Sequence, residues 1–191
     1  QTSLNFERKP TMIVTHWDAA LSAHSCFKIL KKRNISSHFA IDNDGTIYQM
    51  VDTQHIGWHA GNTKVNNAPI GIDFSNAYYM KYQNYYEKKG FGPRPVISDS
   101  RIHGVKLGDH LGYYDVQLAA YKALVKCLAE HYSIELACPL DEDNNMKQEV
   151  EISAVRGNFK GIVSHYHLTN RKIDCAGLDI NKLLREIEDG N

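Results

Sequence analysis

Hydrophobic and polar positions change period along the chain in a way that alternates strands with helices. Met12-Ile13-Val14-Thr15 is an apolar, β-branched run that predicts a buried strand with His16 at its C-terminal end. Ala23, Cys26, Phe27 and Leu30 then follow helical spacing, with Ser22 placed to cap the start and Lys31-Lys32-Arg33 to complement the C-terminal dipole. Residues 38–41 and 46–51 flank Asp42-Asn43-Asp44-Gly45, which predicts a hairpin whose glycine takes the positive φ of a tight reversal. Ile70-Gly71-Ile72-Asp73-Phe74 reads as another short strand, its glycine marking a bulge or a close backbone approach. Asp73 stands out there, because a carboxylate inside an apolar strand is costly unless it is paired, hydrogen-bonded or used.

Residues 76–114 turn polar, aromatic and Gly/Pro-punctuated, which predicts a long Tyr-rich surface excursion. A strong amphipathic helix follows, capped by Asp115, with Tyr121, Leu124, Val125, Leu128 and Tyr132 on one face. Asp141–Asn145 reads as a solvated acidic turn without calcium-loop spacing. Gly161-Ile162-Val163-Ser164 predicts a final strand ending at His165, and Asp179 caps a last helix whose Ile180, Leu183, Leu184 and Ile187 face the core. The predicted class is α/β, a central mixed β-sheet flanked by helices, with both histidines at strand ends where such sheets place their sites.

Composition narrows this picture only mildly. The 191 residues, 42% of them hydrophobic, suit one domain over 1–191 with a single core. Basic and acidic residues each number 22, so no global field draws the chain to nucleic acid or anionic lipid. No apolar run approaches the roughly 20 residues of a membrane span, which predicts a soluble chain without membrane insertion. The sequence opens at Gln1 with no leader-like segment, and a glutamine there suggests either a trimmed sequence or a cleaved precursor. Four scattered cysteines lack a C-x-x-C pair and favour a reducing compartment; Cys26 and Cys127 read as small buried hydrophobes on helix stripes.

The chemistry concentrates in three places. Thr15-His16-Trp17-Asp18, Ser164-His165-Tyr166-His167 and Arg171-Lys172-Ile173-Asp174-Cys175 together supply imidazoles, a carboxylate and an ammonium. Such a set makes a three-ligand metal site with a cation beside its open position, the equipment of a metallohydrolase. His24, His110 and His131 read as surface residues, and His38 as a hydrogen-bonded structural one.

These residues, with Ser37–Gln49, Trp58-His59-Ala60-Gly61-Asn62 and Ile70–Asp73, resemble in type and order the zinc N-acetylmuramoyl-L-alanine amidases of type 2. That family is similar in fold to the peptidoglycan recognition proteins and includes phage lysins and muropeptide-recycling enzymes. The resemblance implies a Zn2+ cofactor, with His16 and His165 as ligands and Asp174 as the third on its Lys-x-Asp spacing; Cys175 is the alternative. It implies Lys172 as an oxyanion-stabilising cation and Asp73 as general base, in the strand position where recycling-type members carry Glu. Other members use a Tyr where this chain has Ser37; Tyr48 is a further candidate at the far end of the hairpin. Trp58, His59 and Asn62 are implied to line the substrate cleft, and His167 to contact substrate or support a ligand. The implied activity is hydrolysis of the amide between N-acetylmuramic acid and L-alanine of peptidoglycan or its fragments. The expected setting is the cell wall, as for a lysin or periplasmic enzyme, or the cytoplasm for a recycling enzyme. Two alternatives stand beside it: a non-catalytic peptidoglycan-binding module and a non-haem iron oxygenase, which also uses two histidines and a carboxylate.

Overall fold

The computed structural model describes residues 8–59 and 69–190. In chain order the elements are β1 (Met12–Trp17), α1 (Ala23–Arg33), β2 (Phe39–Ile41), β3 (Ile47–Gln49) and β4 (Pro69–Phe74). The excursion contributes α2 (Gln83–Lys88) and the short strands β5 (Val96–Ile97), β6 (Arg101–Ile102), β7 (Val105–Lys106) and β8 (His110–Leu111). Then come α3 (Asp115–Tyr132), α4 (Ile152–Val155), β9 (Gly161–Ser164) and α5 (Ile180–Glu188).

The main sheet has the order β3-β2-β4-β1-β9. Its pairs are parallel except the predicted hairpin β2–β3, so the sheet is mixed as expected. Every residue of β1, β4 and β9 is buried, the signature of parallel strands covered on both faces. Alternation divides them: Ile13, Ile70, Ile72, Phe74 and Ile162 join Tyr121, Val125 and Leu128 of α3 and Leu183, Leu184 and Ile187 of α5 in the main core. Met12, Val14 and Val163 face the other way and pack on Ala154 and Leu168. His16 and Asp73, Cα partners in the β1–β4 register, emerge on this second face.

Most predicted helix boundaries hold. Ser22 accepts a hydrogen bond from the Ser25 N–H at the start of α1, and Asp179 accepts one from Lys182 at the start of α5. Asp115 is instead the first residue of α3: Tyr114 is its N-cap, and the Gln117 side chain reaches back to the Tyr114 N–H. Phe27, expected on the buried stripe of α1, is 45% exposed, and Cys127 faces solvent; in each case the apolar period continues past the arc that the sheet covers. No helix among the described residues is long and apolar enough to cross a membrane.

The Tyr-rich excursion is ordered around one buried cation. Arg94, 2% exposed, donates through Nη1 to Gly112 O (2.8 Å) and Gln117 Oε1 (3.1 Å). Its Nη2 donates to Ser75 O (2.6 Å) and Asn43 Oδ1. The guanidinium lies 4.3 and 4.4 Å from the rings of Tyr86 and Tyr114. This fork joins the hairpin turn, the end of β4, the excursion and α3.

Candidate metal centre

Three side chains far apart in sequence meet at the C-terminal ends of the central strands. The β1–β9 register pairs Thr15 with Ser164, which sets His16 beside His165. Asp174 arrives on the following loop, whose carbonyl at 174 accepts from the Tyr166 N–H (3.0 Å). His16 Nδ1 lies 3.0 Å from His165 Nδ1, and Asp174 Oδ2 lies 3.0 Å from His165 Nδ1 and 3.3 Å from His16 Nδ1. All three residues are buried.

A single proton can bridge only two of these atoms, whereas one divalent cation serves all three. Tetrahedral bonds of about 2.0 Å separate neighbouring ligand atoms by roughly 3.3 Å, so the triangle has the size such an ion needs. The donor set of two imidazoles and a carboxylate leaves a fourth position open to the cleft. Burial would push the Asp174 carboxyl up, but its contacts with His16 and His165 outweigh that and hold it below the usual carboxylate range. Burial, reinforced by His16, keeps the His165 imidazole neutral, the form in which it can ligate.

His59 supports the triangle through His16. Its Nδ1 lies 3.0 Å from His16 Nε2, so the two nitrogens share a proton that orients His16 with Nδ1 toward the centre. The His59 ring fits because β4 carries glycine at 71: a Cβ there would meet His59 Cδ2 at 2.8 Å and Ser37 Oγ at 2.7 Å. Gly71 is thus the close backbone approach that its sequence position suggested, with no bulge.

The triangle opens into a cleft of about 310 Å³ whose lining includes Asp73, His59, Lys172 and Tyr78. Burial raises the Asp73 carboxyl, opposed by His16 and the Ser37 hydroxyl, which makes Asp73 a stronger proton acceptor than an exposed aspartate. Cys175 is fully buried outside the triangle.

A family model described as N-acetylmuramoyl-L-alanine amidase matches residues 6–176. The chain belongs to that amidase family. Solved structures share the fold. The amidase AmiD from E. coli, in complex with anhydro-N-acetylmuramic acid-L-Ala-D-gamma-Glu-L-Lys, superposes with a TM-score of 0.60 at 19% identity, covering 98% of this chain and 61% of that one. AmpDh3 from Pseudomonas aeruginosa, with anhydromuramic pentapeptide, gives 0.60 at 19% identity, covering 98% and 63%. The amidase LysC from Clostridium intestinale URNW gives 0.56 at 18% identity, covering 98% and 91%. The chain therefore spans about three fifths of the length of the first two amidases. No curated protein matches it in sequence.

Against the site that the amidase resemblance implied, His16, His165, Asp174, Asp73, Lys172 and His59 all meet at the cleft. His167 does not: it is fully buried, accepts from the Ser164 N–H (3.0 Å) and bonds Lys147 O (2.7 Å), so it fastens the turn after β9 instead of touching substrate. Trp58 is 51% exposed and stands outside the cleft lining, and Tyr48 is likewise exposed on β3. Asn62 lies outside the described residues. His110, read as a surface residue, is buried edge-on against Trp17, with ring centroids 5.8 Å apart. Sequence reasoning missed Arg33, Ile29 and Tyr78 as cleft-lining groups. Arg33 looked like an ordinary helix-end cation, and nothing in a Tyr-rich stretch singles out one ring.

Proposed function

We propose that this protein is a zinc-dependent hydrolase that cleaves the amide between N-acetylmuramic acid and L-alanine in peptidoglycan or its fragments. The observation that carries the reading is the triangle of His16, His165 and Asp174, 3.0–3.3 Å on an edge, opening beside Asp73 and Lys172 in one cleft. The muropeptide ligands of AmiD and AmpDh3 support the substrate class.

His16 Nδ1, His165 Nδ1 and Asp174 Oδ2 would hold the zinc. When bound, the ion supplies Lewis acidity, bringing the pKa of water to about 7 and polarising a carbonyl. The chain's own groups complete the reaction. Asp73 accepts a proton from the attacking water as its oxygen bonds to the lactyl carbonyl carbon. The Lys172 ammonium stabilises the oxyanion that forms. Asp73 returns the proton to the alanine nitrogen as the C–N bond breaks, which frees a lactyl carboxylate and an amino terminus. His59 keeps His16 in its ligating tautomer throughout.

Metal analysis of the purified protein, with mass spectrometry of products from muropeptides, tests this directly. The expected result is one zinc per chain and a peptide released with a free N-terminal alanine. Iron in place of zinc, or muropeptides left intact by the zinc-loaded protein, would overturn it.

A further inference from the structure

An aromatic ladder climbs from the cleft onto the excursion. Trp17, at the end of β1, stacks on Tyr78 with centroids 4.7 Å apart and planes within 5°. Tyr78 meets Tyr79 at 4.0 Å, and Tyr82 stands 6.4 Å beyond Tyr79. Trp17 and Tyr78 line the cleft, while Tyr79 is 49% exposed outside it.

The ladder is built rigidly, against local preference. Tyr78 has φ +37°, a region that bulky residues rarely adopt, and the Tyr79 N–H bonds Ala77 O at 2.5 Å to close a three-residue turn. The Tyr78 N–H donates to Asn76 Oδ1 (2.9 Å) and its carbonyl accepts from Leu111 (2.7 Å), so both sides of the strained residue are pinned. Such strain, held by its surroundings at the mouth of a site, points to a ligand. Rings fixed before binding lose little entropy when they are covered.

Resting on the function proposed above, we infer that this ladder is a subsite for the sugar backbone of a glycan strand. An enzyme that cuts the lactyl amide of a muramic residue inside a strand must let neighbouring sugars run over the cleft rim. Pyranose rings present apolar C–H faces, which suit aromatic surfaces. The stem peptide carries carboxylates, and the cations that suit them, Arg33, Arg171 and Lys172, line the cleft itself. The ladder therefore favours polymeric substrate over a single muropeptide.

Two measurements test this. Calorimetric binding of peptide-free glycan strands, independent of hydrolysis, should be detectable for the wild type and roughly 3–10-fold weaker in Tyr79→Ala, with Tyr79→Phe retaining it. Hydrolysis should show a matching KM increase for Tyr79→Ala on intact sacculi, with kcat kept, and under twofold change on N-acetylmuramoyl-L-alanyl-D-isoglutamine. Absence of strand binding by the wild type, or equal losses on both hydrolysis substrates, would overturn the inference; equal losses would assign the ladder to the stem peptide. Strand binding without hydrolysis of either substrate would sustain the ladder and overturn the proposed activity instead.

Discussion

Replacing Arg94 by alanine removes a side chain that joins four separate segments through one planar group, and its cost can be worked from the contacts. The guanidinium serves Gly112 O, Ser75 O, Gln117 Oε1 and Asn43 Oδ1, and hydrogen bonds to a charged donor are worth about 1.5–3 kcal/mol each. The two ring contacts add roughly 0.5–2 kcal/mol each. Against this, the native protein no longer desolvates a cation, a relief of several kcal/mol. No carboxylate pairs with Arg94 in these contacts, so its removal leaves unsatisfied carbonyls but no orphaned charge. The net loss should be about 3–5 kcal/mol, or roughly 10–15 °C in Tm for a chain of this size. Arg94→Lys should lose nearly as much, because an ammonium cannot span the same fork or stack between Tyr86 and Tyr114. Urea denaturation at pH 7 measures both variants. A loss below about 1 kcal/mol for Arg94→Ala would refute the view that this residue organises the excursion.

Asp174→Ala should abolish stoichiometric zinc binding while Cys175→Ser retains it, as read by metal analysis after dialysis; the reverse pattern would reassign the third ligand. His38 is fully buried, accepting from the Gly71 N–H at Nδ1 and bonding His55 O through Nε2, and burial lowers its pKa to about 4. The unfolded imidazole takes up a proton near pH 6.5, so the contribution of His38 is complete above pH 6.5 and falls by roughly 1.4 kcal/mol per pH unit toward pH 4. The stability difference between wild type and His38→Gln should follow that slope, and a flat difference across the window would contradict it. Gly71→Ala should destabilise by about 1–3 kcal/mol through overpacking and, by displacing His59, weaken zinc binding roughly 10–100-fold; unchanged affinity in a chelator competition would remove His59 from its supporting role.

The strands that carry His16 and His165, the β2–β3 hairpin and the core face of α5 were legible because each is a local pattern that burial simply enforces. The choice of Asp174 to join His16 and His165 was legible only through resemblance, since no local rule selects one carboxylate from a distant loop. Other features depended on what the rest of the chain covers. Phe27 has the spacing of a core residue, yet α1 turns it to solvent, and His167 has the look of a site residue although backbone groups occupy both its nitrogens. Arg94 lies between prolines in a polar stretch, where sequence alone predicts a solvated cation. Only the assembled excursion shows four oxygens and two rings around it.

The position of β1 between β4 and β9 dictates when the protein can be completed on the ribosome. His16 and its neighbour His165 are 149 residues apart, and the strand that brings the second is made only after β1 and β4. Until then one edge of β1 has no partner, and the nascent chain holds an apolar strand in waiting. Pairing across so long an interval is slow and invites association with other chains. A translational stall before residue 161 should leave a product that neither closes its sheet nor captures an ion.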